Sequence, residues 1–391
     1  MKLIVHIFLL FTILNIPTCD VPKQTAGKHA PSDSLALIFQ HKFDTIKVEN
    51  INKAEAQYID ETFEKLYKEG RFNGAVLVAE KGRVFYRKVF GVNDQSKKDN
   101  LELSSAFQLA SVSKMFTALS IMQLKEKGKL SYDHDVRYFL PDFPYDGITI
   151  RDLLTHQSGL PNYMAVSDLH WDQNIPLTNQ AMYELMVKYK PKLFFKPGSR
   201  FNYSNTNYAF LALIVEKLSH MPFNEYVEKN IFKPAGMVNS FVFNPCKECR
   251  NEVIGYNRCS RGYTKIPKDY LNGVWGDKGI YATVEDMYRF DMALKYNILV
   301  KSESIEEAFT PFATQNKRNP IKFYGFGWRI KYLDEQKIVY HFGWWKGFKT
   351  GYLKNMSRDI TLIILNNTNS FPNHEIVWGL LNYPYKLQKG S

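Results

Sequence analysis

The chain has 391 residues, 45% of them hydrophobic and 15% aromatic, which excludes a disordered polypeptide and allows a sizeable core in one large or two intergrown domains. Lys and Arg number 51 against 39 Asp and Glu, a formal charge of +12. No Walker loop, zinc finger or RNA-binding signature accompanies that charge, so no nucleic-acid partner is expected; a lysine-rich solvated surface, or one suited to anionic polymers and headgroups, remains.

Lys2 precedes an apolar stretch from Leu3 to Ile16, too short to span a bilayer comfortably, followed by Ile16-Pro17-Thr18-Cys19. Residues 1–19 therefore read as a signal peptide. Its end resembles a bacterial lipoprotein signal with Cys19 as the lipidated residue, although Pro17 and Thr18 are unusual there. The expected location is exported, either periplasmic or membrane-anchored through Cys19, with ordinary secretion as the alternative. Residues 20–50 read as a polar tether carrying Pro22, Pro31 and several lysines.

Ile59, Phe63, Leu66 and Tyr67 are spaced for an amphipathic helix ended by Gly70. Gly74 to Ala79 and Val84 to Val89 predict a strand pair turning at Lys81-Gly82. From about 115 to 240 the pattern is mainly helical, as in Tyr208 to Leu218, and 245–275 is an irregular insert. Strands return at Phe326–Tyr332, Lys337–Phe342, Gly351–Leu353 and Ile360–Leu365, before a last helix over His374–Leu381. This order predicts an α/β (α+β) fold. An antiparallel sheet flanked by helices is built from both chain ends over 51–385, with a mostly helical region inserted at about 115–275. In the insert, Cys246 and Cys249 have C-x-x-C spacing and Cys259 follows. A disulfide, free thiols and a zinc site all remain open, and none of the three reads as catalytic.

Ser111-Val112-Ser113-Lys114 opens the apolar run Met115 to Met122. On a helix, Ser111 and Lys114 share one face. A serine hydroxyl becomes a useful nucleophile when a base lies within hydrogen-bond reach, and a lysine serves if its ammonium form is disfavoured. S-x-x-K alone is common by chance. Here Tyr203-Ser204-Asn205 (Y-x-N) and His341-Phe342-Gly343 (H-x-G) follow in order, with Leu153-Leu154-Thr155-His156-Gln157-Ser158-Gly159-Leu160 between the first two motifs.

These four segments resemble the serine β-lactamase and penicillin-binding protein superfamily, specifically its class C-like branch of β-lactamase-related serine hydrolases. The likeness covers roughly residues 55 to 380. It implies Ser111 as nucleophile, Lys114 as base or base-tuner and Tyr203 as second base and proton carrier. Asn205 would bond the substrate amide or Lys114. His341 and Gly343 would line the cleft, and the N–H of Trp344 would pair with that of Ser111 as an oxyanion hole. No metal or cofactor is required. His341 stands where true β-lactamases carry the lysine of K-T-G, and a histidine is mostly neutral at pH 7. Strong penicillin binding is therefore disfavoured against ester, amide or D-amino-acid peptide bonds in small-molecule or peptidoglycan-derived substrates. Lys349-Thr350-Gly351 is a literal K-T-G, but the Gly-containing turn after Trp344 and the strand ending at Asn366 fit the His341 segment better. His156 reads as structural, with Gly159 ending its helix. Asp277 and Lys278 depart from the double glycine of many relatives in a segment that borders the cleft. A non-catalytic binder of cell-wall fragments on the same fold is the competing reading, and a β-lactamase the other.

Overall fold

The computed structural model describes residues 33–94, 99–245, 251–260, 262–314 and 322–382. Its centre is an eight-stranded antiparallel sheet. The strands are β1 (Gly74–Glu80), β2 (Arg83–Phe90), β3 (Ala313–Thr314), β4 (Lys322–Tyr324), β5 (Arg329–Leu333), β6 (Gln336–Trp345), β7 (Phe348–Asn355) and β8 (Ile360–Asn366), in the order β3-β4-β5-β6-β7-β8-β1-β2. Both chain ends meet where β1 pairs β8, from Gly74↔Asn366 to Glu80↔Ile360. Asn73 seals that junction: its N–H donates to Asn366 Oδ1 at 2.9 Å and its Nδ2 to Asn367 Oδ1 at 2.6 Å.

The sheet is covered on both faces, so β1 reads as continuously apolar. Ala75, Leu77 and Ala79 face the larger core with Met115, Leu119 and Phe290, while Val76 and Val78 face Ile59, Phe63, Leu362, Ile364 and Val377. Helix α2 (Lys53–Lys68) and the terminal helix His374–Gly379 supply the second layer. The turn between β1 and β2 needs two left-handed residues, which Lys81 (φ 52) and Gly82 (φ 76) provide. The opposite layer holds α3 (Ser113–Glu126), α4 (Ile150–Leu154), α5 (Tyr163–His170), α6 (Asn179–Tyr189), α7 (Asn205–Ser219) and α8 (Val284–Lys295). α3 is buried nearly all round, from Ser113 to Leu124, which is why its sequence lacks a polar face. Among the described residues no helix is long and apolar enough to cross a membrane.

Three expectations need correction. Asp33–Phe43, placed in the polar tether, forms α1 and buries Phe39 and Phe43; that i,i+4 aromatic pair packs on Tyr288 and Tyr296 inside an otherwise polar stretch. The segment before β5 is not extended from Phe326: Gly327 (φ 83) bends there, and a Cβ on it would lie 2.9 Å from the Lys114 carbonyl oxygen. α4 ends at Leu154, and His156 (φ 60) takes the first left-handed position, not Gly159. The irregular insert contains a short antiparallel pair, Tyr256–Cys259 with Gly262–Lys265.

α8 is fastened to the sheet by a buried charge cluster. Asp291 accepts from Lys354 Nζ at 2.8 and 2.9 Å, Thr361 Oγ1 at 2.7 Å and Tyr352 Oη at 2.6 Å. Removing one partner of such a pair strands the other charge. Lys354→Met should lower the unfolding free energy by roughly 3 kcal/mol in urea titration while activity per folded molecule is retained; an unchanged midpoint would show that the cluster contributes nothing to the docking of α8.

Candidate active site

Ser111 lies in a 3₁₀ turn, Ala110–Val112, that leads directly into α3. Ala110 before it has φ 50, a left-handed conformation costly for a residue with a Cβ. Lys114 is in the first turn of α3 and fully buried. Its Nζ donates to Ser111 Oγ (3.2 Å), Asn205 Oδ1 (2.8 Å) and the Asp277 carbonyl (2.8 Å). Buried lysines ordinarily pair with a carboxylate. Lys114 forms no ion pair among the described residues; instead its Nζ lies 5.0 Å from the Tyr203 ring centroid and 5.6 Å from that of Tyr208.

Tyr203 is in the loop before α7, and Asn205 is the first residue of that helix. The Tyr203 hydroxyl is buried and has no hydrogen-bond partner among the described residues. An unsatisfied buried hydroxyl at such a place marks where another polar group would sit. His156 shapes this loop. Its carbonyl accepts from Asn202 N at 2.8 Å, its Nδ1 accepts from Ser204 N at 3.1 Å, and its ring lies 4.4 Å from that of Tyr203. Burial, then the charges of Lys114 and Arg329, hold the His156 imidazole well below the usual histidine range, so it stays neutral as the acceptor role requires.

β6 forms the opposite wall. β5 pairs it only as far as Tyr340, so from His341 onward its outer edge has no strand neighbour among the described residues. Such an edge offers backbone N–H and C=O groups to an extended ligand. Gly343 lets the Ser111 turn approach closely: a Cβ there would lie 2.2 Å from Leu109 O and 3.1 Å from Ala110 Cβ. The Trp344 side chain is on the far face and 72% exposed, which leaves its backbone as its contribution to the cleft. His341 is fully buried, with Nε2 3.1 Å from Tyr324 Oη and Nδ1 2.8 Å from Phe342 O. The literal K-T-G is elsewhere. Lys349 pairs Trp344 and so faces away from Ser111, while Thr350 donates to Leu109 O at 2.7 Å.

Two features escaped the sequence reading. Arg329, at the start of β5, sits 4.9 Å over the Tyr203 ring, so the positive charge absent from position 341 enters from the neighbouring strand. No motif announces it; only strand register brings it there. Asp277 and Lys278, expected to shape the pocket, are 1% and 3% exposed and pack behind Lys114. Of the cysteines, Cys259 is an exposed free thiol, and Cys19, Cys246 and Cys249 fall outside the described residues. No cluster of metal-binding side chains occurs among the described residues.

Burial, with the charges of Arg329 and Lys114, also holds the His341 imidazole well below its ordinary range. The unfolded chain binds a proton there near pH ~6.5 and the folded chain does not, so stability falls as pH drops through that value. His341→Gln should flatten the dependence of unfolding free energy on pH between about 5.5 and 7 by up to ~1.4 kcal/mol per pH unit. Parallel curves for the two proteins would mean that His341 takes a proton in the folded state.

A family model described as Beta-lactamase matches residues 59–381. Penicillin-binding protein 4* of Bacillus subtilis is 36% identical over 332 residues, covering 82% of this chain and 73% of that protein. The crystal structure of a penicillin-binding protein from Bacillus halodurans superposes with a TM-score of 0.71 at 26% identity, covering 81% of this chain and 97% of the other. The D-amino acid amidase of Ochrobactrum anthropi shares the fold at a TM-score of 0.68 and 20% identity, over 82% and 91% of the two chains. The chain belongs to the β-lactamase family, within the serine β-lactamase and penicillin-binding protein superfamily.

Proposed function

We propose that this protein is a serine hydrolase that works through an acyl-enzyme on ester, amide or D-amino-acid peptide bonds. The observation that carries the reading is the set of partners around Lys114 Nζ. An ammonium has three N–H donors, and all three acceptors are present. A neutral amine has two donors and one lone pair. With Asn205 Oδ1 and the Asp277 carbonyl holding the two hydrogens, the lone pair is left facing the Ser111 hydroxyl. What departs from a structural buried lysine is that none of the three acceptors is a carboxylate and one is a serine hydroxyl.

In the forward step Ser111 Oγ attacks the substrate carbonyl carbon and its proton passes to Lys114 Nζ. The N–H groups of Ser111 and Trp344 receive the oxyanion, each such donor contributing about 3 kcal/mol to the transition state. Tyr203 Oη delivers a proton to the leaving group, and Lys114 and Arg329, 5.0 and 4.9 Å from the centroid of its ring, favour negative charge on that side chain. Water then takes the leaving group's place and gives a proton to the Tyr203 oxygen as its own oxygen bonds the acyl carbon; the acyl–Oγ bond breaks and Ser111 Oγ takes its proton back from Lys114 Nζ, which restores all three side chains. Asn205 and the open edge of β6, with Gly343 as the point of close approach, hold the substrate backbone. A neutral, buried His341 cannot serve as the permanent cation of K-T-G, which favours these substrates over penicillins. The resemblance to penicillin-binding protein 4* supports a peptidoglycan-derived or small-molecule substrate. The N-terminal sequence supports export, with Cys19 as the residue that would carry a lipid anchor.

Stopped-flow hydrolysis of a p-nitrophenyl short-chain ester should give a burst stoichiometric with enzyme, absent in Ser111→Ala. Turnover persisting in Ser111→Ala would remove the nucleophile assignment. No reaction in either protein, with esters and D-amino-acid amides alike, would favour a non-catalytic binder.

A further inference from the structure

Lys114 is not the only buried amine beside this cleft. Lys278 Nζ lies against α5 and donates to Tyr163 Oη at 2.8 Å, Asp277 Oδ1 at 3.3 Å and the Val274 carbonyl at 3.4 Å. Tyr163 Oη in turn donates to Asp277 Oδ2 at 3.2 Å, closing a triangle among the three side chains. Burial first, then Asp277, holds the Tyr163 hydroxyl well above the usual phenol range, so it remains a donor. Burial lowers the proton affinity of Lys278, and Asp277 opposes that effect. Asp277 therefore has two jobs: its carboxylate is bound in the triangle, and its carbonyl accepts from Lys114. The residue before it is pinned as well, because the Gly276 carbonyl accepts from Thr117 Oγ1 of α3 at 2.8 Å. A Cβ on Gly276 would lie 2.3 Å from the Tyr208 carbonyl oxygen of α7.

We propose that Asp277, Lys278 and Tyr163 are positioning residues for the acylation step: the triangle fixes the Asp277 carbonyl that orients Lys114, and its paired charges cancel at the Lys114 amine. This rests on the serine-hydrolase reading above. Two opposite unit charges, both buried against one catalytic amine, are costly unless they compensate each other. Removal of either one leaves the other acting on Lys114 through a medium of low dielectric. The remaining charged and titratable groups around Lys114 are Ser111 on its own turn, Tyr203 and Tyr208 at its ring contacts, and the neutral His156 and His341. Arg329 acts on both histidines. Lys278 also feels Asp269, and Tyr163 feels Asp269 and Tyr270. None of these changes in the variants below.

The sign of the effect separates positioning from mere packing. Acylation needs an unprotonated base beside Ser111, so a charge left uncompensated next to that base moves the acid limb of the acylation rate against pH. Asp277→Asn leaves the Lys278 cation uncompensated and should move the limb to lower pH. Lys278→Met leaves the Asp277 carboxylate uncompensated and should move it to higher pH. Each shift should be roughly half a pH unit or more. The double variant Asp277→Asn/Lys278→Met should return the limb to its parental position while the plateau rate stays at least about ten-fold down, because the carbonyl has lost its anchors. Tyr163→Phe keeps both charges and should leave the limb in place.

The burst phase of p-nitrophenyl ester hydrolysis, followed from pH 5 to 10 in variants checked for cooperative thermal unfolding, measures all of these. Shifts of the same sign in both single variants, no shift in either, or a double variant with the parental plateau would overturn the proposal while leaving the nucleophile assignment standing. If a single variant does not fold, the double variant's plateau decides. A parent lacking a Ser111-dependent burst would overturn both the serine-hydrolase reading and this one.

Discussion

A lysine sealed from solvent, with no carboxylate partner among the described residues, is the constraint around which this molecule is arranged. The charge of Lys114 can be tolerated only if each N–H finds an acceptor. Those acceptors come from three distant parts of the chain: the Ser111 turn, Asn205 at the start of α7, and the loop carrying Asp277. Satisfying one amine therefore brings together the turn before α3, the Tyr203–Asn205 loop and the Gly276–Gly279 loop. Local structure follows from the same demand. Ala110 accepts a left-handed conformation, and Gly276 and Gly279 take φ of 98 and 99, so that these carbonyls and hydroxyls point inward.

The sheet contributes the other half. Its join between β1 and β8 makes one rigid body from the two chain ends, so β6 is held in register by neighbours that are far away in sequence. Gly343 then determines how near that strand comes to the Ser111 turn. The order of the two effects matters. The sheet and α3 are stable because they bury apolar surface, and the strained turn is carried by that stability. The edge of β6 beyond Tyr340 has no strand neighbour among the described residues.

Much of this was legible in the sequence because it is local. The spacing of Ser111 and Lys114, the β1–β2 hairpin and the apolar late strands are short-range patterns, and the structure contains each of them. Three features were not. α1 lies in a polar stretch whose burial depends on two phenylalanines finding Tyr288 and Tyr296, a contact only tertiary structure creates. Arg329 reaches Tyr203 through strand register, which no motif encodes. Asp277 and Lys278, flanked by glycines, read as a loop that borders the cleft; a closed triangle with Tyr163 is what makes their burial possible. Buried charges read as surface charges until their partners are known.

Covalent capture is the sharpest test of whether Lys114 activates Ser111. The protein would be treated with a fluorophosphonate, digested and analysed by mass spectrometry, beside Ser111→Ala and Lys114→Met. A single adduct on the peptide holding Ser111, absent in Ser111→Ala and formed at least about a hundred-fold more slowly in Lys114→Met, is the predicted result. An adduct on another residue, or unchanged labelling of Ser111 without Lys114, would contradict it.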